Sequence, residues 1–114
     1  MKILLLDDDE SMGEIAARIL QHYGHEVLAI TDFRKLQSVM TDFAPELLIM
    51  DIDLHGADGR ELCKQIKRSE NSPRVILYSA MTDIENVQNE FGAESFLQKP
   101  FTKHQLLSVV ANCS

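Results

Sequence analysis

The sequence predicts an α/β three-layer sandwich, in which helices cover both faces of a five-stranded parallel sheet. Two observations lead to this prediction: short continuous apolar runs alternate with longer segments, and the apolar residues of those longer segments recur at helical spacing. Repeated strand–helix units build parallel sheets, because each helix carries the chain back to the start of the next strand. The 114 residues fit one such domain, residues 1–114, without an internal linker.

Four predicted strands are continuous apolar runs without alternation, which is typical of strands that are buried on both faces. These runs cover residues 3–6, 27–30, 47–50 and 75–78. A shorter and more mixed run at residues 95–98 predicts a fifth strand at the edge of the sheet.

The first two predicted helices follow the first two strands. Apolar residues between positions 12 and 23 share one face of the first helix, for which Ser11 and Glu14 predict an N-terminal capping box. Gly24 suits its end. The second apolar stripe begins at Phe33 and stops before Pro45, because a residue that precedes proline is disfavoured in helical conformation.

Three further helices complete the alternation. Asp58 predicts the N-cap of the third helix, and Thr102 predicts the N-cap of the last. The fourth predicted helix has a thin apolar stripe of Ile84, Val87 and Phe91. Since this helix has the least apolar surface to bury, we expect it to be the most loosely held.

Composition excludes several classes of function. A net charge of −7 without a cluster of basic residues disfavours direct nucleic-acid binding. No apolar run has the length of a membrane span and no secretory signal is visible, so we expect a cytoplasmic protein. Cys63 and Cys113 lack the spacing of a metal or redox motif and are expected to be reduced, while the four histidines are expected at the surface.

Polar residues whose side chains can react or bind ligands follow four of the apolar runs. They are Asp7, Asp8 and Asp9 after the first run, Asp51 and Asp53 after the third, Ser79 after the fourth and Lys99 after the fifth. Ligands bind at the carboxyl ends of parallel strands, so we expect these residues on one edge. Clustered carboxylates repel one another, and Mg²⁺ relieves that repulsion. With a lysine and a hydroxyl nearby, the set suits a carboxylate nucleophile that accepts a phosphoryl group.

Four short signatures, in this order, resemble those of the receiver domains of two-component response regulators. They read LLDD over residues 5–8, LIMD over 48–51, LYSA over 77–80 and LQKPF over 97–101. The resemblance covers essentially the whole chain. It implies a flavodoxin-like (βα)5 fold with strand order 2-1-3-4-5.

The resemblance also implies a role for each residue of this edge. Asp51 would be the phospho-acceptor. Asp8 would bind Mg²⁺ directly, Asp7 mainly through water and Asp53 through its backbone carbonyl. Ser79 and Lys99 would bind the phosphoryl group, Phe96 would be the switch aromatic, and the bond before Pro100 would be cis. The implied phosphodonor is a sensor histidine kinase or a phosphotransfer protein. The resemblance also implies that phosphorylation changes the face built from the fourth helix, the fifth strand and the last helix. An output domain or a second copy would recognise that face. The domain would not be an enzyme in its own right, although it contributes residues to its own phosphorylation and dephosphorylation.

The loop after Asp51 departs from the pattern of the family. His55 stands where the family usually has proline, and Gly56 adds backbone freedom, so we expect a more mobile loop. The side chain of Asp53 is expected to affect the rate of phosphate loss. Phe96 lacks the phenolic hydroxyl that the family often has, so only ring packing can report activation.

Two alternatives stay open at this stage. Asp51-Ile52-Asp53 also resembles the Asp-x-Asp motif of haloacid-dehalogenase-type phosphatases, but that motif ends a first strand and needs a long chain after it. The second alternative is a pseudo-receiver, a binding module that is never phosphorylated. The complete acidic set argues against it.

Overall fold

The sheet of this protein has the predicted strand order in a computed structural model, which describes residues 1–80 and 91–113. Its strands are β1 (Lys2–Leu6), β2 (Glu26–Ile30), β3 (Leu47–Asp51), β4 (Arg74–Ser79) and β5 (Ser95–Gln98), in the order β2-β1-β3-β4-β5. Every neighbouring pair is parallel. The flavodoxin-like prediction is therefore confirmed, with β5 at one edge.

Helices follow the strands on both faces of this sheet. They are α1 (Glu10–His22), α2 (Leu36–Phe43) with a 3-10 turn before it (Phe33–Lys35), α3 (Gly59–Ile66) and a C-terminal helix (Lys103–Asn112). The fourth predicted helix falls mainly on residues 81–90, which lie outside the described residues. None of the helices in the described ranges is both long and apolar enough to cross a membrane.

The core has two layers because side chains alternate along each strand. Leu4 and Leu6 pack with one buried cluster, to which α2 and α3 contribute Leu36 and Cys63. Ile3 and Leu5 belong to the opposite cluster, to which α1 and the C-terminal helix contribute Ala16, Leu20, Leu106 and Val110. Full burial of one such aliphatic side chain stabilises the fold by roughly 1.5–3 kcal/mol. The two layers hold the central strands rigidly, and with them the ends of those strands.

Helix starts agree with the sequence analysis in two cases and correct it in one. The carboxylate of Asp58 accepts the N–H of Arg60 at the start of α3, and Thr102 forms a capping box at the start of the C-terminal helix. The predicted cap at Ser11 is wrong, because α1 begins earlier, after Asp9, whose side chain accepts the N–H of Met12. Asp9 has the extended backbone of an N-cap.

The prediction of full burial is wrong for β2. This strand lies at an edge of the sheet and is largely exposed, and 39% of Leu28 is accessible. An apolar run does not report how many neighbours a strand has. Ile15 and Tyr23, placed on the apolar face of α1 by spacing, are also exposed.

Both cysteines are buried free thiols, as the sequence analysis expects of small apolar residues. Cys63 packs in the layer beneath α3, and burial raises the pKa of its thiol to about 11. The thiol is therefore held in its protonated, unreactive form.

Candidate functional site

The carboxyl ends of four strands bring the predicted site residues together. Asp7 directly follows β1, Asp51 ends β3, Ser79 ends β4 and Lys99 directly follows β5. One oxygen from each of Asp7, Asp8 and Asp51 lies within 4.8 Å of the others. This juxtaposition follows from parallel topology, since the carboxyl ends of neighbouring parallel strands share one edge.

Lys99 lies between two buried carboxylates. Its Nζ is 3.0 Å from Oδ2 of Asp51 and 3.4 Å from Oδ2 of Asp7. Asp7 is only 1% exposed and Asp51 only 4%. Because an isolated buried carboxylate is costly, the ammonium group offsets part of the repulsion between the two.

The surroundings of Asp51 and Lys99 shift the pKa values of both groups. Burial raises the pKa of Asp51 and the charge of Asp7 adds to the effect, although the N–H of Asp53 and the ammonium of Lys99 oppose it. Burial alone would lower the pKa of Lys99, but Asp51 and Asp7 outweigh it and raise that pKa. The lysine is therefore a permanent cation at neutral pH.

His55 contacts Asp8 on the open side of the site. The backbone N–H of His55 donates to Oδ2 of Asp8 at 2.8 Å, and its ring Nδ1 contacts the same oxygen. Burial acts to raise the pKa of Asp8, but the hydrogen bonds from His55 outweigh it and the pKa lies below its usual value. The His55 side chain is 98% exposed, so the predicted surface position is correct, but its contact with Asp8 went unpredicted.

Ser79 and Asp53 are joined across the site. The hydroxyl of Ser79 donates to Oδ2 of Asp53 at 2.9 Å, while the backbone N–H of Asp53 donates to Oδ1 of Asp51 at 2.9 Å. The Asp53 carboxylate therefore accepts the hydroxyl that the resemblance assigns to a phosphoryl oxygen.

The loop after Asp51 is a tight turn that returns the chain to α3. Asp53–Leu54 pairs in antiparallel fashion with Ala57–Asp58, and Gly56 between them has a φ of +85°. A β-carbon at Gly59 would lie 2.3 Å from the carbonyl oxygen of Asp51. Only glycine fits there, so the start of α3 approaches the acceptor strand at backbone distance.

Two predicted features lie on β5 and directly after it. The bond between Lys99 and Pro100 is cis. Phe96 is the register neighbour of Leu77 and is buried in the same layer of the core, against which Phe91 also packs.

Tyr78 is a contributor that the sequence analysis missed. This side chain is 1% exposed, and its hydroxyl donates to Oδ2 of Asp7 at 2.5 Å. In the sequence Tyr78 belongs to an apolar strand run, so no pattern marks it as polar. The one available signal was that Tyr78 directly precedes Ser79 at the end of the strand. Neighbouring residues of a strand point to opposite faces, so the Tyr78 ring lies on the face opposite to Ser79.

The donor set suits a hard divalent cation. Three carboxylates of one small cluster supply only oxygen, which is the ligand type that Mg²⁺ prefers. Because Asp8 is partly exposed while Asp7 and Asp51 are buried, the cluster opens to solvent on the Asp8 side.

Comparisons with known proteins identify a family. The model of the family described as "Response regulator receiver domain" matches residues 3–111. Response regulator protein GraR of Staphylococcus haemolyticus is 31% identical over 109 residues, which are 95% of this chain and 49% of that protein. The chain therefore spans about half the length of the curated relatives it matches.

Solved structures show the same fold. The chemotaxis protein CheY4 of Vibrio cholerae superposes with a TM-score of 0.91 at 23% identity, over 99% of this chain and 98% of that one. NtrX of Brucella abortus gives a TM-score of 0.88 at 31% identity, over 98% of this chain and 26% of that one. The likeness to CheY4 concerns the fold alone.

Proposed function

The chain belongs to the family of response regulator receiver domains, and from this premise we propose that Asp51 accepts a phosphoryl group in a Mg²⁺-dependent reaction. One observation carries the proposal: Asp51 ends the central strand within 3.0 Å of the Lys99 ammonium, inside a cluster that includes Asp7 and Asp8. The domain is a signalling module and not a classical enzyme. Its match to the receiver family favours this function over the hydrolase alternative.

The chemistry is an in-line displacement on phosphorus. A carboxylate oxygen of Asp51 forms the new P–O bond as the bond between phosphorus and its donor breaks, and the electron pair leaves with the donor. Lys99 and the hydroxyl of Ser79 are the groups of this chain that bind phosphoryl oxygens. Asp8, Asp51 and the carbonyl of Asp53 would hold Mg²⁺ directly and Asp7 mainly through water, and the ion would supply further neutralisation of the transferred charge.

The donor in this proposal is a phosphohistidine of a sensor histidine kinase or of a phosphotransfer protein in the cytoplasm. Small phosphodonors test the proposal without knowledge of that partner. Acetyl phosphate with Mg²⁺ should add the mass of one phosphoryl group to the protein. A chain that gains no mass and binds no Mg²⁺ would instead be a pseudo-receiver.

Removal of Asp8 should weaken Mg²⁺ binding more than removal of Asp7. Asp8 lies on the open side of the cluster, where it can touch the ion, whereas Asp7 is buried and already accepts hydrogen bonds through both oxygens. Loss of a group that acts through water costs roughly tenfold in affinity, so Asp7→Ala should lose about that much and Asp8→Ala more.

Mg²⁺ titration of both alanine variants by calorimetry measures this ranking. Asp42→Ala is a matched control, because Asp42 is an exposed carboxylate on α2. A larger loss for Asp7→Ala would contradict the assigned roles.

We also propose that phosphorylation is reported through the face that includes Phe96, β5 and the C-terminal helix, to an output domain or a second copy. The Ser79 hydroxyl should leave Asp53 and donate to a phosphoryl oxygen. The space that it vacates is at the end of β4, next to β5. Buried Phe96 is the bulky side chain best placed to fill that space. Amide chemical shifts with and without beryllofluoride, a phosphoryl mimic, should change from the site out to residues 91–101.

The matched variant for this experiment is Phe96→Leu, which keeps the apolar character and removes the ring. It should bind beryllofluoride but show smaller shift changes in β5. Shift changes that stay around Asp7, Asp8 and Asp51 in the wild type would refute the switch.

A further inference from the structure

Tyr78 is a buried polar side chain that the proposed chemistry does not use. It precedes Ser79 on β4, and its ring packs in the layer beneath α1 and the C-terminal helix. Its hydroxyl nevertheless reaches the acidic cluster, where it donates to Oδ2 of Asp7. The ring is held edge to face against Phe101, with 6.0 Å between ring centroids. The hydroxyl is therefore delivered to the site from the opposite layer of the core.

The carboxylate of Asp7 has a divided set of partners. Oδ1 accepts the backbone N–H of Asp9 at 2.9 Å, and Oδ2 accepts both the Tyr78 hydroxyl at 2.5 Å and the Lys99 ammonium at 3.4 Å. The contact with Tyr78 is thus the shorter of the two at Oδ2. Tyr78 also contacts the lysine, whose Nζ lies 4.5 Å from the centroid of the tyrosine ring.

Phosphorylation of Asp51 creates a problem for Asp7. Lys99 is shared between Asp7 and Asp51 here, and under the proposed function it must turn toward the phosphoryl oxygens. Under the proposed function Asp7 acts on Mg²⁺ mainly through water, so the loss of Lys99 would leave it without a direct charged partner while it stays almost completely buried. A buried carboxylate that loses a charged partner costs free energy, unless another donor holds it.

We propose that Tyr78 is a positioning residue that keeps Asp7 hydrogen-bonded, so that Lys99 can be transferred to the phosphoryl group. This inference rests on the proposed function. The hydroxyl satisfies Oδ2 of Asp7 in both states, and the ring stays in contact with the ammonium as it leaves Asp7 for the phosphoryl oxygens on Asp51. Tyr78 thereby allows Lys99 to change partner from Asp7 to the phosphoryl group on Asp51.

Removal of the hydroxyl should separate two affinities that a general disturbance would lower together. In Tyr78→Phe, Asp7 has Lys99 as its remaining side-chain donor among the described contacts, so it retains the lysine more strongly. Affinity for beryllofluoride at saturating Mg²⁺ should fall about tenfold, the usual effect of one hydrogen bond to a charged group. Affinity for Mg²⁺ alone should fall much less, because all the carboxylates remain and Asp7 is still held by the N–H of Asp9 and by Lys99.

Tyr23→Phe is the matched control, since it removes the same hydroxyl from an exposed ring. It should bind Mg²⁺ and beryllofluoride as the wild type does. The chain has two tyrosines and no tryptophan, so this variant leaves Tyr78 as the dominant chromophore in the near ultraviolet. Its phenol absorption should shift when beryllofluoride is added, because the ammonium moves relative to the ring.

Three outcomes would overturn the inference. They are an unchanged beryllofluoride affinity in Tyr78→Phe, a parallel loss of both affinities, and an unchanged Tyr78 absorption in the Tyr23→Phe protein. The absorption measurement does not need the Tyr78 variant to fold. A wild type that binds neither Mg²⁺ nor beryllofluoride would instead refute the proposed function, and the inference with it.

Discussion

Asp51→Asn is expected to abolish phosphorylation by acetyl phosphate. The amide keeps the shape of the side chain but lacks the anionic oxygen that forms the bond to phosphorus. No neighbouring carboxylate among the described residues has the same position, because Asp7 is engaged through both oxygens and Asp8 is bonded to His55. Intact-protein mass spectrometry should show one added phosphoryl group in the wild type and none in the variant.

The matched control is Asp53→Asn, an identical change two residues further along the chain. Asp53 contributes its backbone N–H to Asp51, and that group survives the substitution. The variant should therefore still be labelled. Its rate of phosphate loss should differ from that of the wild type, because the carboxylate that holds Ser79 is gone. Equal labelling of wild type and Asp51→Asn would refute the acceptor.

Gly59→Ala is expected to destabilise the fold strongly. The new methyl group would lie 2.3 Å from the carbonyl oxygen of Asp51 and 2.8 Å from the Cα of Ile52. Both are backbone atoms of the acceptor segment and cannot rotate away. Overpacking of this kind costs about 3 kcal/mol, which lowers the midpoint of thermal unfolding by roughly 10 °C in a domain of this size.

Gly13→Ala provides the comparison within the same protein. Gly13 lies inside α1, and the nearest atom to an added β-carbon is the Cβ of Ala29 at 4.0 Å, an ordinary contact. This change should stabilise the helix by about 0.5–1 kcal/mol. Calorimetric unfolding of both variants tests the pair, and equal midpoints would show that α3 can move away from Asp51.

The sheet and the location of the site follow from the sequence for the same reason. Continuous apolar runs indicate buried parallel strands, and parallel strands end at a common edge. Asp7, Asp51, Ser79 and Lys99 each follow or end such a run, so their proximity is a consequence of topology. No distance needs to be known for this step.

Exposure at the edge of the sheet could not be predicted in the same way. The run of β2 is nearly as apolar as that of β1, but the rest of the fold covers β2 much less than β1 or the other edge strand, β5. The helix start was misplaced because Asp9 and Ser11 are both good N-cap residues. Which of them caps α1 depends on where the preceding loop leaves the sheet.

Side-chain contacts within the site were the part that patterns do not encode. Tyr78 reaches Asp7 across 71 positions of sequence, and His55 reaches Asp8 across 47. These contacts depend on rotamers and on the separation of strand ends by a few ångströms. Residue type alone predicted that the carboxylates would need partners but not which residues would supply them.

The charged residues of the site are also synthesised in a fixed order. The ribosome delivers Asp7, Asp8 and Asp51 before Lys99, because β1 and β3 precede β5 in the chain. The lysine reaches Asp51 only after β5 has joined β4. A sheet without β5 would hold clustered negative charge that Lys99 does not offset. Pairing of β5 with β4 therefore completes the hydrogen-bonded sheet and also offsets part of the negative charge at its edge, so electrostatic attraction favours the docking of this strand.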